Sequence, residues 1–104
     1  MRTLLQVSLE VTAANRAISD GTLPRLIKST IEKLKPETAY FHTLNGNRSF
    51  FMVFDLKDPS EIPIISEPFF RMLNAKVDFS PVMNAEDLLK GLEVVEKSEY
   101  AYLH

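Results

Sequence analysis

The 104-residue chain has no cysteine, only two histidines, three glycines and no long apolar run. The missing cysteines remove disulfides, thiol catalysis and cysteine-based zinc sites, and they make a cytoplasmic location the default expectation. The histidines are His42 and His104, and no carboxylate–histidine spacing matches a metal site. Neither a metal nor another cofactor is therefore expected. Gly21, Gly46 and Gly91 stand too far apart to form a phosphate-cradling loop. Charge of neither sign dominates: 12 basic residues face 14 acidic ones, for a net charge of −2. That balance gives no broad pull towards nucleic acid or an anionic membrane. The opening segment MRTLLQVSLEV alternates instead of running apolar, so it reads as a strand and not as a signal peptide or membrane anchor. Without an export signal, the glycosylation sequon Asn47-Arg48-Ser49 is taken as chance.

What remains is ordinary for a folded chain, with 45% hydrophobic and 25% charged residues. The length fits one domain over residues 1–104, able to bury a single core without disulfides. The most informative stretch is Thr38–Leu56, TAYFHTLNGNRSFFMVFDL. Two aromatic and β-branched runs flank Asn45-Gly46-Asn47, and Asn-Gly between such runs is a strong hairpin signal. A two-residue turn there sets Leu44 opposite Asn47, His42 opposite Ser49 and Tyr40 opposite Phe51. Side chains then alternate onto two faces. One carries Ala39, Phe41, Phe50, Met52, Phe54 and Leu56 and is nearly pure core. The other carries Tyr40, His42, Leu44, Ser49, Phe51, Val53 and Asp55. A strand apolar on both sides must be covered on both sides. In a chain of this length the helices can coat only one.

The other elements follow from their periods and punctuation. Thr3–Val11 alternates as a first strand, with Leu5, Val7, Leu9 and Val11 on one face and Leu4, Gln6, Ser8 and Glu10 on the other. Residues 13–35 are helical in two pieces broken at Asp20-Gly21, and Pro36 ends the second. Asp58-Pro59-Ser60-Glu61 opens another helix, with Asp58 as N-cap and Ile62, Ile65, Phe69 and Leu73 as its buried stripe. Pro63 and Pro68 predict a kink in it, or two short helices. Ala75–Met83 is the fourth strand, on a sheet edge because Pro81 cannot donate. Asn84 caps a last helix over Ala85 to about Lys97, whose Leu88-Leu92-Val95 stripe is expected to pack on its own subunit. The tail SEYAYLH has no clear period, although Tyr100, Tyr102 and Leu103 could dock on the sheet or on a partner. The order is β-α-β-β-α-β plus a C-terminal helix, an α+β chain whose four-stranded antiparallel sheet would be ferredoxin-like.

In this order and length the chain resembles the dimeric α+β barrel superfamily, ferredoxin-like subunits whose open sheet faces pack together. The run KLKPETAYFHTLNGNRSFFMVFDLKDPSEIP, then EPFF and PVMNAEDL, is similar to small uncharacterised bacterial proteins of that superfamily. The resemblance implies a homodimer far better than it implies a reaction. The superfamily includes cofactor-independent monooxygenases, lactone isomerases, haem-binding enzymes and ligand-sensing domains.

The candidate chemistry lies on the mixed face. His42 is the candidate general base, with Tyr40 or Glu10 to orient it or donate a proton. Gln6, Ser8, Phe51, Val53 and Asp55 line the expected ligand and dimer face, with Asp78 beside them. The plainer reading of His42 is a strand histidine hydrogen-bonded across a dimer interface, because no second member of a triad is fixed. The Arg48–Phe54 run echoes an RNA-recognition strand but lacks its glycine, so no nucleic-acid partner is expected, and no membrane. The expected function is a homodimer binding a small hydrophobic or aromatic ligand between two sheets. The alternative is a cofactor-independent monooxygenase- or isomerase-like enzyme with His42 as base.

Overall fold

Asn45 (φ 53°) and Gly46 (φ 80°) both take the left-handed conformation that a tight type I′ turn requires, and they join β2 (Thr38–Leu44) to β3 (Asn47–Asp55). The observed register sets Tyr40 opposite Phe51, His42 opposite Ser49 and Leu44 opposite Asn47, as the sequence predicts. The structure, a computed structural model, describes residues 1–98. The remaining elements are β1 (Arg2–Ser8), α1 (Val11–Ser19), α2 (Thr22–Leu34), α3 (Glu61–Leu73), β4 (Lys76–Pro81) and α4 (Ala85–Glu96). The strands form one antiparallel sheet in the order β2-β3-β1-β4, which is compatible with a ferredoxin-like arrangement. The two central strands, β1 and β3, are the most buried.

The core fills one side of this sheet. Leu5, Val7, Phe50, Met52 and Phe54 are sealed against α1 and α3, where Ala14, Ala17, Ile65, Phe69 and Leu73 meet them. Alanines on the inner face of α1 let that helix lie close to the strands. The Phe50 ring sits 5.5 Å from that of Phe69, and Phe54 meets Phe79 edge-on at 6.5 Å. Each of these large side chains contributes roughly 1.5–3 kcal/mol by leaving water.

Four sequence expectations need correction. β1 ends at Ser8, not Val11, because Glu10 turns the chain into α1 by accepting the Ala13 N–H on its carboxylate at 2.9 Å. α3 begins at Glu61, and Asp58 instead closes the turn before it, accepting the Ser60 N–H at 2.9 Å. α3 is also a single helix and not two short ones. Pro63 falls in its first turn, where no intrahelical N–H bond is needed. Pro68 deprives the Ile64 carbonyl of its donor, but Ile64 is on the exposed side, where water can substitute.

The fourth correction concerns α4. Its start is a full capping box, with the Asn84 side chain accepting the Asp87 N–H at 2.8 Å and Asp87 returning the bond to the Asn84 N–H at 3.1 Å. Yet none of its residues is buried, and Leu88, Leu92 and Val95 are 44%, 51% and 47% exposed. The stripe does not pack on its own subunit, because the chain leaves the sheet at Pro81–Asn84 and carries the helix away from the body. The radius of gyration is 17.4 Å, against about 13 Å for a compact chain of this length. The tail residues Tyr100, Tyr102, Leu103 and His104 lie outside the described residues.

Candidate functional site

Alternation along the strands leaves one sheet face without helices. It presents Leu4, Gln6 and Ser8 from β1, Tyr40, His42 and Leu44 from β2, Ser49, Phe51 and Val53 from β3, and Asp78 and Ser80 from β4. Phe51 is its centre. The Tyr40 ring lies 5.8 Å from it on one side, and the His42 ring meets it edge-on at 5.7 Å on the other. The register places Gln6 next to both Phe51 and Asp78. The Gln6 side-chain amide donates to the Phe50 carbonyl at 3.1 Å, and the Ser8 and Ser49 hydroxyls are 3.1 Å apart. Phe51 and Val53 are half-buried, whereas Tyr40 is 62% exposed. Near the hairpin tip a hollow of about 140 Å³ is lined by Gln6, Ser8, Leu44, Lys76 and Asp78 among others.

The structure thus brings His42, Tyr40, Gln6, Ser8, Phe51 and Val53 onto one surface and leaves out Glu10. That carboxylate caps α1 and cannot serve His42, a direct consequence of the early end of β1. His42 itself is exposed and has no hydrogen-bonded acid or base beside it among the described residues. Asp55 sits at the far end of the face, where its carboxylate accepts the Met1 amine at 2.6 Å. That hydrogen bond, followed by the amine's charge, holds the Asp55 carboxyl below the usual carboxylate range.

Two residues to which the sequence reading gave no site role complete the picture. Arg2 emerges on the open face at the end of the sheet from which α4 departs. Its Nε donates to Glu37 at 2.6 Å, and its guanidinium lies 3.7 Å from Asp87 in the first turn of α4. The first turn of α4 is therefore tied to the open-face side. Arg48 belongs to the opposite side, under the hairpin, and forms no ion pair among the described residues. Alternation along β3 could have located both, but nothing in a linear pattern says that α4 begins beside Arg2.

No family model matches the chain, and no curated protein matches it. The site has to be read from its own geometry. No three metal-ligating side chains converge among the described residues, and no described helix is long and apolar enough to cross a membrane. The face offers aromatic surface, a few hydrogen-bonding groups and a single imidazole. That equipment suits adsorption of a small aromatic or hydrophobic group better than proton transfer, which needs a partner for His42.

Proposed function

We propose that the chain is a subunit of a homodimer joined through the open sheet face, and that a small hydrophobic or aromatic ligand lies between the two sheets. One observation carries the reading: the open face and α4 both carry apolar side chains that no other described element covers, and both start from the same end of the molecule. A solitary helix of this length is marginal in water, so its aliphatic stripe needs a surface to lie on. A second copy supplies one.

The areas agree. A sheet of four strands spaced about 4.8 Å apart, rising about 3.3 Å per residue, has a footprint on the order of 400 Å². Two such faces come to roughly 800 Å², short of the ~1,200–2,000 Å² that stable interfaces bury. A helix as long as α4 covers on the order of 180 Å² of a neighbour, and two such contacts, counted on both sides, add roughly 700 Å². Sheet and arm together reach the required size. Neither does so alone.

Sedimentation equilibrium tests the dimer. The intact chain is expected at twice its 11.8 kDa mass in the micromolar range. Val53→Asp on the sheet and the double change Leu88→Asp, Leu92→Asp on α4 should each shift it towards single chains. A single-chain mass for the unmodified protein at high micromolar concentration overturns the reading. For the ligand, phenol is expected to shift the resonances of Tyr40, His42 and Phe51 in the dimer. No shift there removes the ligand from the proposal.

A further inference from the structure

We infer that the groove between the hairpin and α2, on the helix side of the sheet, is a binding site for a small amphipathic monoanion: a carboxylate on a short hydrocarbon chain or a single aromatic ring. The groove is complete within one chain, so this inference does not depend on the dimer. Its origin is an incomplete helical layer. α1 and α3 cover the central strands, but the inner face of the edge strand β2 is left half open. Phe41 shows it best: it points to the core side beside Phe50, with ring centroids 5.6 Å apart, and is still 56% exposed. Leu23 and Ile27 of α2 and Leu9 form the facing wall. The half-open space between them is about 370 Å³, within the range of small-ligand sites, roughly 300–1,000 Å³.

The chemistry of the occupant follows from the lining. Apolar side chains form both walls, so the body of the ligand is apolar. Among the described residues no acidic side chain lines the groove, Arg48 at the hairpin end is its one permanently charged group, and His42 and Ser49 complete the lining. Arg48 follows the hairpin turn, opposite Thr43, and its carbonyl accepts the Leu9 N–H at 2.9 Å, which anchors this end of the groove. Its guanidinium has no ion-pair partner among the described residues. A planar fork of donors at one end of an apolar slot is complementary to a carboxylate with an apolar tail. Two other hollows are larger but mix charges of both signs. The one at the end of α2, about 390 Å³, sets three lysines beside Asp55 and Glu61, and the one at Arg2, about 450 Å³, is shared with Glu37, Asp55 and Asp87.

The test uses octanoate, with octanol as the uncharged control, followed by amide and methyl resonances of the intact chain. Octanoate is expected to shift Leu23, Ile27, Phe41 and Arg48, and to bind more tightly than octanol. Arg48→Gln, an exposed change that should leave the spectrum of the core intact, is expected to weaken octanoate about tenfold and leave octanol unaffected. Equal binding of octanoate and octanol, or of octanoate to both proteins, overturns the anion site. So does an octanoate response confined to Tyr40 and Phe51, which would place the ligand on the open sheet face and leave the dimer proposal standing. Failure of the dimer in sedimentation, conversely, leaves this groove and its test untouched.

Discussion

Phe50 and Phe51 are neighbours in sequence and occupy different environments, and truncating each to alanine tests that difference directly. Phe50 is 1% exposed and touches the rings of Phe41 and Phe69. Phe50→Ala removes a full aromatic ring from a packed core and should cost about 3–5 kcal/mol, a large share of the ~5–15 kcal/mol that holds a small domain folded. At about 4–8 °C per kcal/mol for a chain of this size, the melting temperature should fall by at least ~12 °C whatever the protein concentration. Phe51 is half-buried against Tyr40 and His42 within one chain and should be fully covered only in the dimer. Phe51→Ala should cost each chain little alone, but about 1–2 kcal/mol per copy at the interface. Counted twice, that raises the dimer dissociation constant by roughly 30- to 1,000-fold. Thermal melts at two concentrations, with sedimentation alongside, separate the cases. If Phe51→Ala lowers the melting temperature as far as Phe50→Ala does, independent of concentration, the two faces have been misassigned and the reasoning falls.

Gly46→Ala should cost about 1 kcal/mol, because φ of +80° forces an alanine Cβ against its own carbonyl even though no neighbour lies within 4 Å; an unchanged urea midpoint would count against the type I′ turn. The Asp20 and Asp58 carboxyls lie below the usual carboxylate range, held there by hydrogen bonds from Thr22 and Ser60 respectively. A carboxyl lowered in the folded state gives stability that is present above its unfolded pKa, about 3.9, and is lost as pH falls through the lowered value. Urea titrations should show this acid loss, and Asp58→Ala should flatten it; a variant with an unaltered acid limb refutes the assignment. His42→Ala should leave fold and dimer mass unchanged, since the ring is exposed and has no hydrogen bond among the described residues. A change in mass on that substitution would instead show His42 bonded across the interface.

The hairpin was the most legible part of the chain because Asn45-Gly46 fixes its register and alternation then assigns every neighbour. The break between α1 and α2 was equally plain, since Asp20-Gly21 interrupts an otherwise helical pattern. Glu10 was misread for a physical reason. Val7, Leu9 and Val11 continue the strand's alternation, so the period hides the point at which a carboxylate turns back to cap the next helix. The start of α3 was misplaced similarly, because an Asp-Pro-Ser-Glu string serves a turn as well as a cap. For α4 the sequence revealed an apolar stripe and its Asn84 cap, but amphipathicity specifies only that a face must be covered, not which surface covers it. The groove at Arg48 was invisible in the linear pattern, since it depends on the helical layer stopping short of β2.

β3 separates two surfaces with a single thickness of backbone: Phe50 borders the helix-side groove and Phe51 lies on the open face. A small molecule seated against the first ring that displaces the strand would therefore act on the proposed docking surface without any relay of intervening residues. Thermodynamic reciprocity then fixes the exchange rate. Whatever factor an occupant adds to the grip between copies, pairing must return to the grip on the occupant.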